Sequence, residues 1–221
     1  MKPHIASLTI LCLALVAVPA SAQWSYDNGP IDGTTFAWTI NFGYVVSDTF
    51  YAGGSTTGFT FGTWEYPGDS LTSVGWEIST APNGGTILGT GTASTTGGPG
   101  GTLTDQYLFF NSQDFIVDRI TVTGLNVATT SSTTYWLNLF NASVPTGDPV
   151  YWDQNSGVGC GGSGGGANCP SLAWDNGVGS IPSEAFTISG TTTGTTPEPS
   201  GILLFGSGIL GLAGVLRRKH N

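Results

Sequence analysis

The chain has 221 residues, is acidic (14 Asp and Glu against 5 Lys and Arg, net charge -9) and carries charge on only 9% of its positions. Four of its five cations are terminal, Lys2 at one end and Arg217, Arg218 and Lys219 at the other, leaving Arg119 alone between residues 23 and 196. So cation-poor a body cannot neutralise a phosphate backbone, which excludes nucleic acid and anionic lipid as its partners. The only histidines, His4 and His220, are terminal too, so the body lacks an imidazole base, the Ser-His-Asp and Cys-His constellations and histidine-ligated zinc.

The first element reads as an export signal. Lys2 supplies a positive start, Ile5 to Val18 an apolar stretch, and Pro19-Ala20-Ser21-Ala22 a small-residue cleavage site in which Ala20 and Ala22 are the recognised positions. Residues 1–22 are therefore expected to be removed, the mature chain starting at Gln23. Cys12 leaves with them, and Thr9-Ile10-Leu11 ahead of it lack the small residues a lipoprotein cysteine requires.

From 23 to 189 the pattern is β throughout. Short runs rich in aromatic and β-branched residues follow one another: Phe36 to Ile40, Tyr44 to Ser47, Gly58 to Trp64, Val74 to Ile78, Phe115 to Val122, Tyr135 to Phe140 and Ala185 to Ile188. In Phe59 and Phe61, and in Trp76 and Ile78, large side chains recur at period two, as on a sheet with one buried face. Asn28-Gly29-Pro30, Pro67-Gly68-Asp69, Pro82-Asn83-Gly84-Gly85, Gly97-Gly98-Pro99-Gly100, Gly147-Asp148-Pro149 and Asn176-Gly177 between them are turn chemistry. Many short strands with no amphipathic helix predict an all-β fold, an antiparallel β-sandwich of jelly-roll-like form.

Within this body Trp24-Ser25-Tyr26-Asp27-Asn28-Gly29 is echoed by Trp174-Asp175-Asn176-Gly177. Asp-Asn-Gly is first a turn signature. Its sharper reading is a calcium site, with Asp27, Asp148, Asp153 and Asp175, and also Asp32, as oxygen donors, although no EF-hand spacing is present. No other cofactor is expected. The segment Gly147 to Cys160 sets Tyr151 and Trp152 among carboxylates and amides, the mixture sugar-binding surfaces use, with Trp24 and Trp174 as further members of a glycan platform. Successive strand residues face opposite ways, however, so the competing reading makes these aromatics a cover for one end of the core.

Cys160 and Cys169, flanking a glycine-rich loop, are expected to form a disulfide in an oxidising compartment. Residues 190–196, Gly-Thr-Thr-Thr-Gly-Thr-Thr, are too polar to bury a core and read as a flexible stalk. Asn141-Ala142-Ser143 matches the N-linked acceptor pattern.

The last segment, 197–221, joins Pro197-Glu198-Pro199 to an apolar run from Gly201 to Leu216 and then to Arg217-Arg218-Lys219. About 16 helical residues span roughly 24 Å against a hydrocarbon core of ~30 Å, and flanking residues with snorkelling cations make up the rest. A transmembrane helix with a basic anchor on the cytoplasmic side places the body outside.

The tail TPEPSGILLFGSGILGLAGVLRRKHN closely resembles the PEP-CTERM sorting signal of Gram-negative exported proteins. The resemblance implies an exosortase-type membrane protease as partner, cleavage at or near Pro197-Glu198-Pro199, transient inner-membrane anchoring, and delivery to the cell envelope, surface or matrix. The same tail has been named after ice-binding proteins, a name that transfers no activity. The segments YDNGPIDGTTFAWTINFGYVVSDTF and TYWLNLFNASVPTGDPVYWDQNSG resemble a body type recurring among such proteins.

The function expected is an exported, exosortase-sorted surface or extracellular-matrix protein without catalytic activity. The alternative is a carbohydrate-binding module for exopolysaccharide. Ice binding needs a regular flat threonine array, and none is visible. A glycosidase needs two carboxylates facing one cleft, and no spacing singles out such a pair.

Overall fold

The computed structural model describes residues 22–156 and 171–192, and among them every regular element is a strand. In chain order these are β1 (Ala22–Asp27), β2 (Ala37–Thr39), β3 (Val45–Ala52), β4 (Ser55–Glu65), β5 (Ser73–Ala81), β6 (Gly84–Ser94), β7 (Thr102–Phe110), β8 (Ile116–Val127), β9 (Thr133–Ser143), β10 (Tyr151–Asp153), β11 (Ala173–Asp175), β12 (Gly179–Ile181) and β13 (Phe186–Thr192).

They hydrogen-bond as one strongly curled, half-barrel-like sheet in the order β1-β13-β4-β8-β7-β6-β5-β9-β3-β11-β12. The all-β, antiparallel expectation holds: every pairing is antiparallel except the single parallel bridge Ser94 to Thr102, where β6 meets β7. The connectivity is thus continuous rather than split into two unconnected sheets.

The curl brings the concave faces of the two halves together. Phe59 of β4 meets Trp76 of β5 edge to face at 6.3 Å, and Tyr26 of β1 meets Phe50 of β3 at 6.4 Å. Phe61, Ile78, Ile120, Val122, Leu137 and Leu139 fill the space between, all without solvent exposure. The period-two reading of β4 and β5 therefore identified true core positions.

A second, smaller apolar cluster lies on the opposite face, where Trp64, Ala37 and Val117 pack with Phe109, Phe115 and Tyr151. Strand β10 makes it possible by pairing with β2 and with the end of β4, setting Tyr151 opposite Trp64 and Trp152 opposite Thr63. Gly62 lets the neighbouring loop cross here, since a Cβ would lie 2.5 Å from Ile31 Cγ2 and 2.8 Å from Asp153 Cβ.

Six strands lie outside the runs read from sequence: β1, β6, β7 and the three-residue strands β10, β11 and β12. β6 is rich in Gly and Thr, β7 carries Leu103, Tyr107, Leu108, Phe109 and Phe110 without a clean alternation, both are largely solvent-facing, and β1 carries the first Asp-Asn-Gly echo at its end. Residues Gly190 to Thr192, expected in the stalk, continue β13 and pair with Trp24 to Ala22 of β1. The physical reason is that β1 supplies a backbone ladder, which Gly and Thr join as readily as apolar residues do.

One end of the core holds a buried acidic pair. Asp48 accepts hydrogen bonds from the Thr49 amide (2.6 Å), the Glu184 amide (2.6 Å), the Ser183 hydroxyl (3.1 Å) and the Ser171 hydroxyl. Neither carboxylate oxygen of fully buried Glu184 has a hydrogen-bond partner. Burial pushes the Asp48 carboxyl up to about 7 and Glu184 well above the ordinary range, the latter also through the charges of Asp48, Asp153 and Asp175. Tyr26, facing Asp48, is raised by burial and by the Asp48 charge, with a smaller contribution from Asp27.

Because these folded-state values lie above the unfolded ones, the native state holds more protons than the unfolded chain at pH values above about 4. The stability they allow is full below that pH and is lost on the way up to about 7, on the order of 4 kcal/mol for a shift of Asp48's size. Urea denaturation in chelator-treated buffer is expected to give a higher midpoint at pH 5 than at pH 8. Glu184→Met, of similar volume and uncharged, should flatten that slope; a midpoint that rises with pH would contradict this assignment.

Candidate functional site

An aromatic groove opens on the outer face where β10 meets β4. Alternation turns Tyr151 toward Trp64, while Phe115 comes from the residue before β8 and Phe36 from the residue before β2. Together with Ala37 they line a cavity of about 240 Å³. Phe115 is its hub, lying 5.5 Å from Tyr151, 5.8 Å from Trp64 and 5.1 Å from Tyr66 between ring centroids. Phe36 is 54% and Tyr66 40% exposed, so two rings stand open at the rim.

The groove is not wholly apolar. Burial raises the Tyr151 phenol, and the neighbouring Tyr66 hydroxyl and the Asp148 carboxylate raise it further. Two phenols and a carboxylate thus border a set of tilted and edge-to-face rings. A pyranose ring can lay its C–H face on such aromatics while its hydroxyls meet the polar border.

The expected glycan platform needs correction at Trp152. Its indole is fully buried, 6.0 Å from Phe61 and 5.6 Å from Phe186, and donates its N–H to the Ala185 carbonyl at 3.1 Å. Adjacent strand residues face opposite sides, so placing Tyr151 on the outer face commits Trp152 to the core. Trp24 is half-buried on β1, donates to the Ser55 carbonyl at 3.2 Å and borders a separate cavity of about 320 Å³ with Gln23, Ser25, Thr57 and Ser189. Trp174, 41% exposed, stands on β11 at the other end of the strand order. The four residues do not form one surface.

Nor do the expected calcium ligands converge. Asp27 is exposed and accepts from the Gly29 amide at 3.0 Å, and Asp175 accepts from the Gly177 and Val178 amides at 2.7 and 3.0 Å, so both Asp-Asn-Gly echoes are turns. Asp148 accepts from Thr146 at 3.0 Å, and Asp32 from Thr34 and Ser156. Asp153 is fully buried and tied by the Trp64 indole at 2.7 Å and the Asp32 and Gly33 amides at 3.1 and 3.2 Å. Its carboxyl is pushed up to about 6 by burial, against the pull of those donors. Each of these carboxylates fixes a local turn or strap.

The structure instead gathers three acids that sequence reasoning passed over. Glu65 ends β4, Asp118 lies on β8 and Asp105 on β7, and one oxygen from each lies within 4.8 Å of the others. Burial raises Glu65 to about 8 and Asp118 to about 7, with mutual repulsion adding to both, and Asp105 moves the same way through burial. A signal for them existed in the alternation: Glu65 shares the parity of Phe59 and Phe61, and Asp118 that of Ile120 and Val122, so both are acids at core-facing positions.

The remaining expected sites lie outside the described residues: Ala20, the Cys160 and Cys169 pair, Pro197, Glu198 and Pro199, the apolar helix, and Arg217, Arg218 and Lys219. Ala22 is the first described residue and pairs with Thr192.

The described residues thus define an acidic, histidine-free all-β body in which one exposed aromatic groove stands open to solvent. The particular class comes from the C-terminus: residues 195–219 match the PEP-CTERM protein-sorting motif, which implies an exported protein sorted through an exosortase. The match leaves the body unassigned, and no curated protein matches this chain.

Proposed function

We propose that the protein is a non-catalytic component of the cell surface or extracellular matrix, and that its body holds exopolysaccharide in the groove formed by Phe36, Trp64, Tyr66, Phe115 and Tyr151. The observation that carries this reading is the open aromatic cavity with phenol and carboxylate groups at its border. In this reading the two halves of the curled sheet serve as the layers of a jelly-roll-like sandwich, the frame on which the groove sits. The absence of catalysis is supported by the lack of histidine between residues 23 and 196, and by the burial of Glu65 and Asp118, 0% and 3% exposed, beyond reach of a polymer.

The test is co-sedimentation of the full-length protein, in detergent, with exopolysaccharide from the producing cells. Phe36→Ala and Tyr66→Ala remove exposed rings at little cost to folding, and each is expected to weaken binding about tenfold, the loss of one stacking contact of ~1.4 kcal/mol. Unchanged affinity in the double variant would exclude the groove. No binding by the wild type would exclude the glycan reading and leave the sorting assignment standing.

A further inference from the structure

We propose that Glu65, Asp105 and Asp118 bind a divalent hard cation of the calcium class at the end of the core where β4, β8 and β7 run side by side. The register puts them there. Thr63 and Tyr107 oppose Asp118, so Glu65, opposite Ile116, and Asp105, opposite Ile120, flank Asp118 diagonally from the two neighbouring strands, all three on the same face. Two oxygens bound to one calcium ion at ~2.4 Å can be no more than ~4.8 Å apart, and the three carboxylates meet that limit together.

A second observation points to a ligand independently of the clustering. Glu65 Oε2 and Asp118 Oδ1 are buried and make no hydrogen bond. Each acid is nevertheless held by another contact: Glu65 Oε1 accepts from Thr63 Oγ1 at 2.8 Å, Asp105 Oδ2 from the Leu71 amide at 2.8 Å, and Asp118 from the Leu108 amide. The acids are oriented while donor oxygens remain unused. A buried polar atom left without a partner is costly, more so if charged, and a bound cation removes that cost.

No protein cation among the described residues does so. Arg119 is the sole Lys or Arg among the described residues, and it is exposed on the opposite face of β8 from Asp118. Asp69 adds further negative charge close by, with its own carboxylate occupied by Thr146. An all-oxygen donor set without Cys or His selects calcium or magnesium over zinc or copper. Three carboxylates on separate strands, with Asp105 half-exposed, suit calcium's tolerance of irregular geometry and completion by water better than magnesium's octahedron. Affinity should fall in the range of extracellular calcium modules, about 0.1–1 mM.

Full-length protein in detergent, stripped with chelator, should be titrated with calcium chloride alone by calorimetry and by thermal melting. The expected result is a single ion per chain and a melting temperature raised by about 5–10 °C at ~10 mM calcium, with a smaller rise for magnesium. Glu65→Gln and Asp118→Asn keep side-chain volume and should weaken calcium binding at least about tenfold, whereas Asp27→Asn, which keeps its turn oxygen, should bind as the wild type does. No heat and no melting shift in the wild type at ~10 mM would overturn the proposal without reference to any variant. So would an unaltered calcium response in the Glu65→Gln, Asp118→Asn double variant.

Discussion

Trp152→Ala is expected to remove about 4 kcal/mol of stability, the upper part of the range for a large aromatic deleted from a packed core. Trp152 has no solvent exposure, touches Phe61 and Phe186 edge to face, and holds the Ala185 carbonyl. Truncation therefore removes packing, opens a cavity and strands a buried acceptor at once. Against a total of about 5–15 kcal/mol, a loss of that size leaves the body marginal. Its sequence neighbour supplies the contrast, because half-buried Tyr151 faces the outer groove and its truncation should cost less than half as much. Urea denaturation of the two variants side by side checks the assignment; equal losses would contradict the placement of β10. The same logic disqualifies Trp152→Ala as a probe of glycan binding, since it reports on folding first.

Replacing Pro197, Glu198 and Pro199 together with alanine is expected to abolish surface delivery of nearly all of the protein and to trap a precursor in the inner-membrane fraction. The motif at 195–219 joins a protease signal to an apolar run and a basic cluster, so loss of the signal alone should leave the anchor in place. Replacing Arg217, Arg218 and Lys219 with glutamine acts on the other element, weakening the charge asymmetry expected to hold the tail's end in the cytoplasm. The two variants should therefore fail differently, one retained and intact, the other misoriented. Surface labelling with fractionation reads both, and unaltered delivery of the alanine variant would contradict the sorting assignment.

Much of the body was legible where side chains determine the strand. Phe59, Phe61, Trp76 and Ile78 alternate because one sheet face is buried, and each is a core residue. β6 escaped because backbone pairing with β5 makes it a strand while its glycines and threonines carry no hydrophobic period, and β7 because a register shift between Tyr107 and Phe109 breaks the alternation of its apolar residues. The groove was half visible: Tyr151 could be named, but Phe36, Trp64, Phe115 and Tyr66 come from distant parts of the chain and meet only through the pairing of β10 with β2 and β4. The acidic cluster was missed for a related reason. Turn signatures single out Asp residues whose side chains cap nearby amides, whereas Glu65 and Asp118 lie at core parity within strands. A charge on the buried face of an alternating strand is the better sequence signal, because burial makes such a residue costly unless something pairs with it.

The most direct measurement is the intact mass and location of the protein recovered from its native cells. A chain beginning at Gln23, ending within or beside Pro197-Glu198-Pro199, and found in the envelope or matrix fraction is the result expected. Recovery of the full 221-residue chain from the cytosol, with both termini uncut, would contradict it.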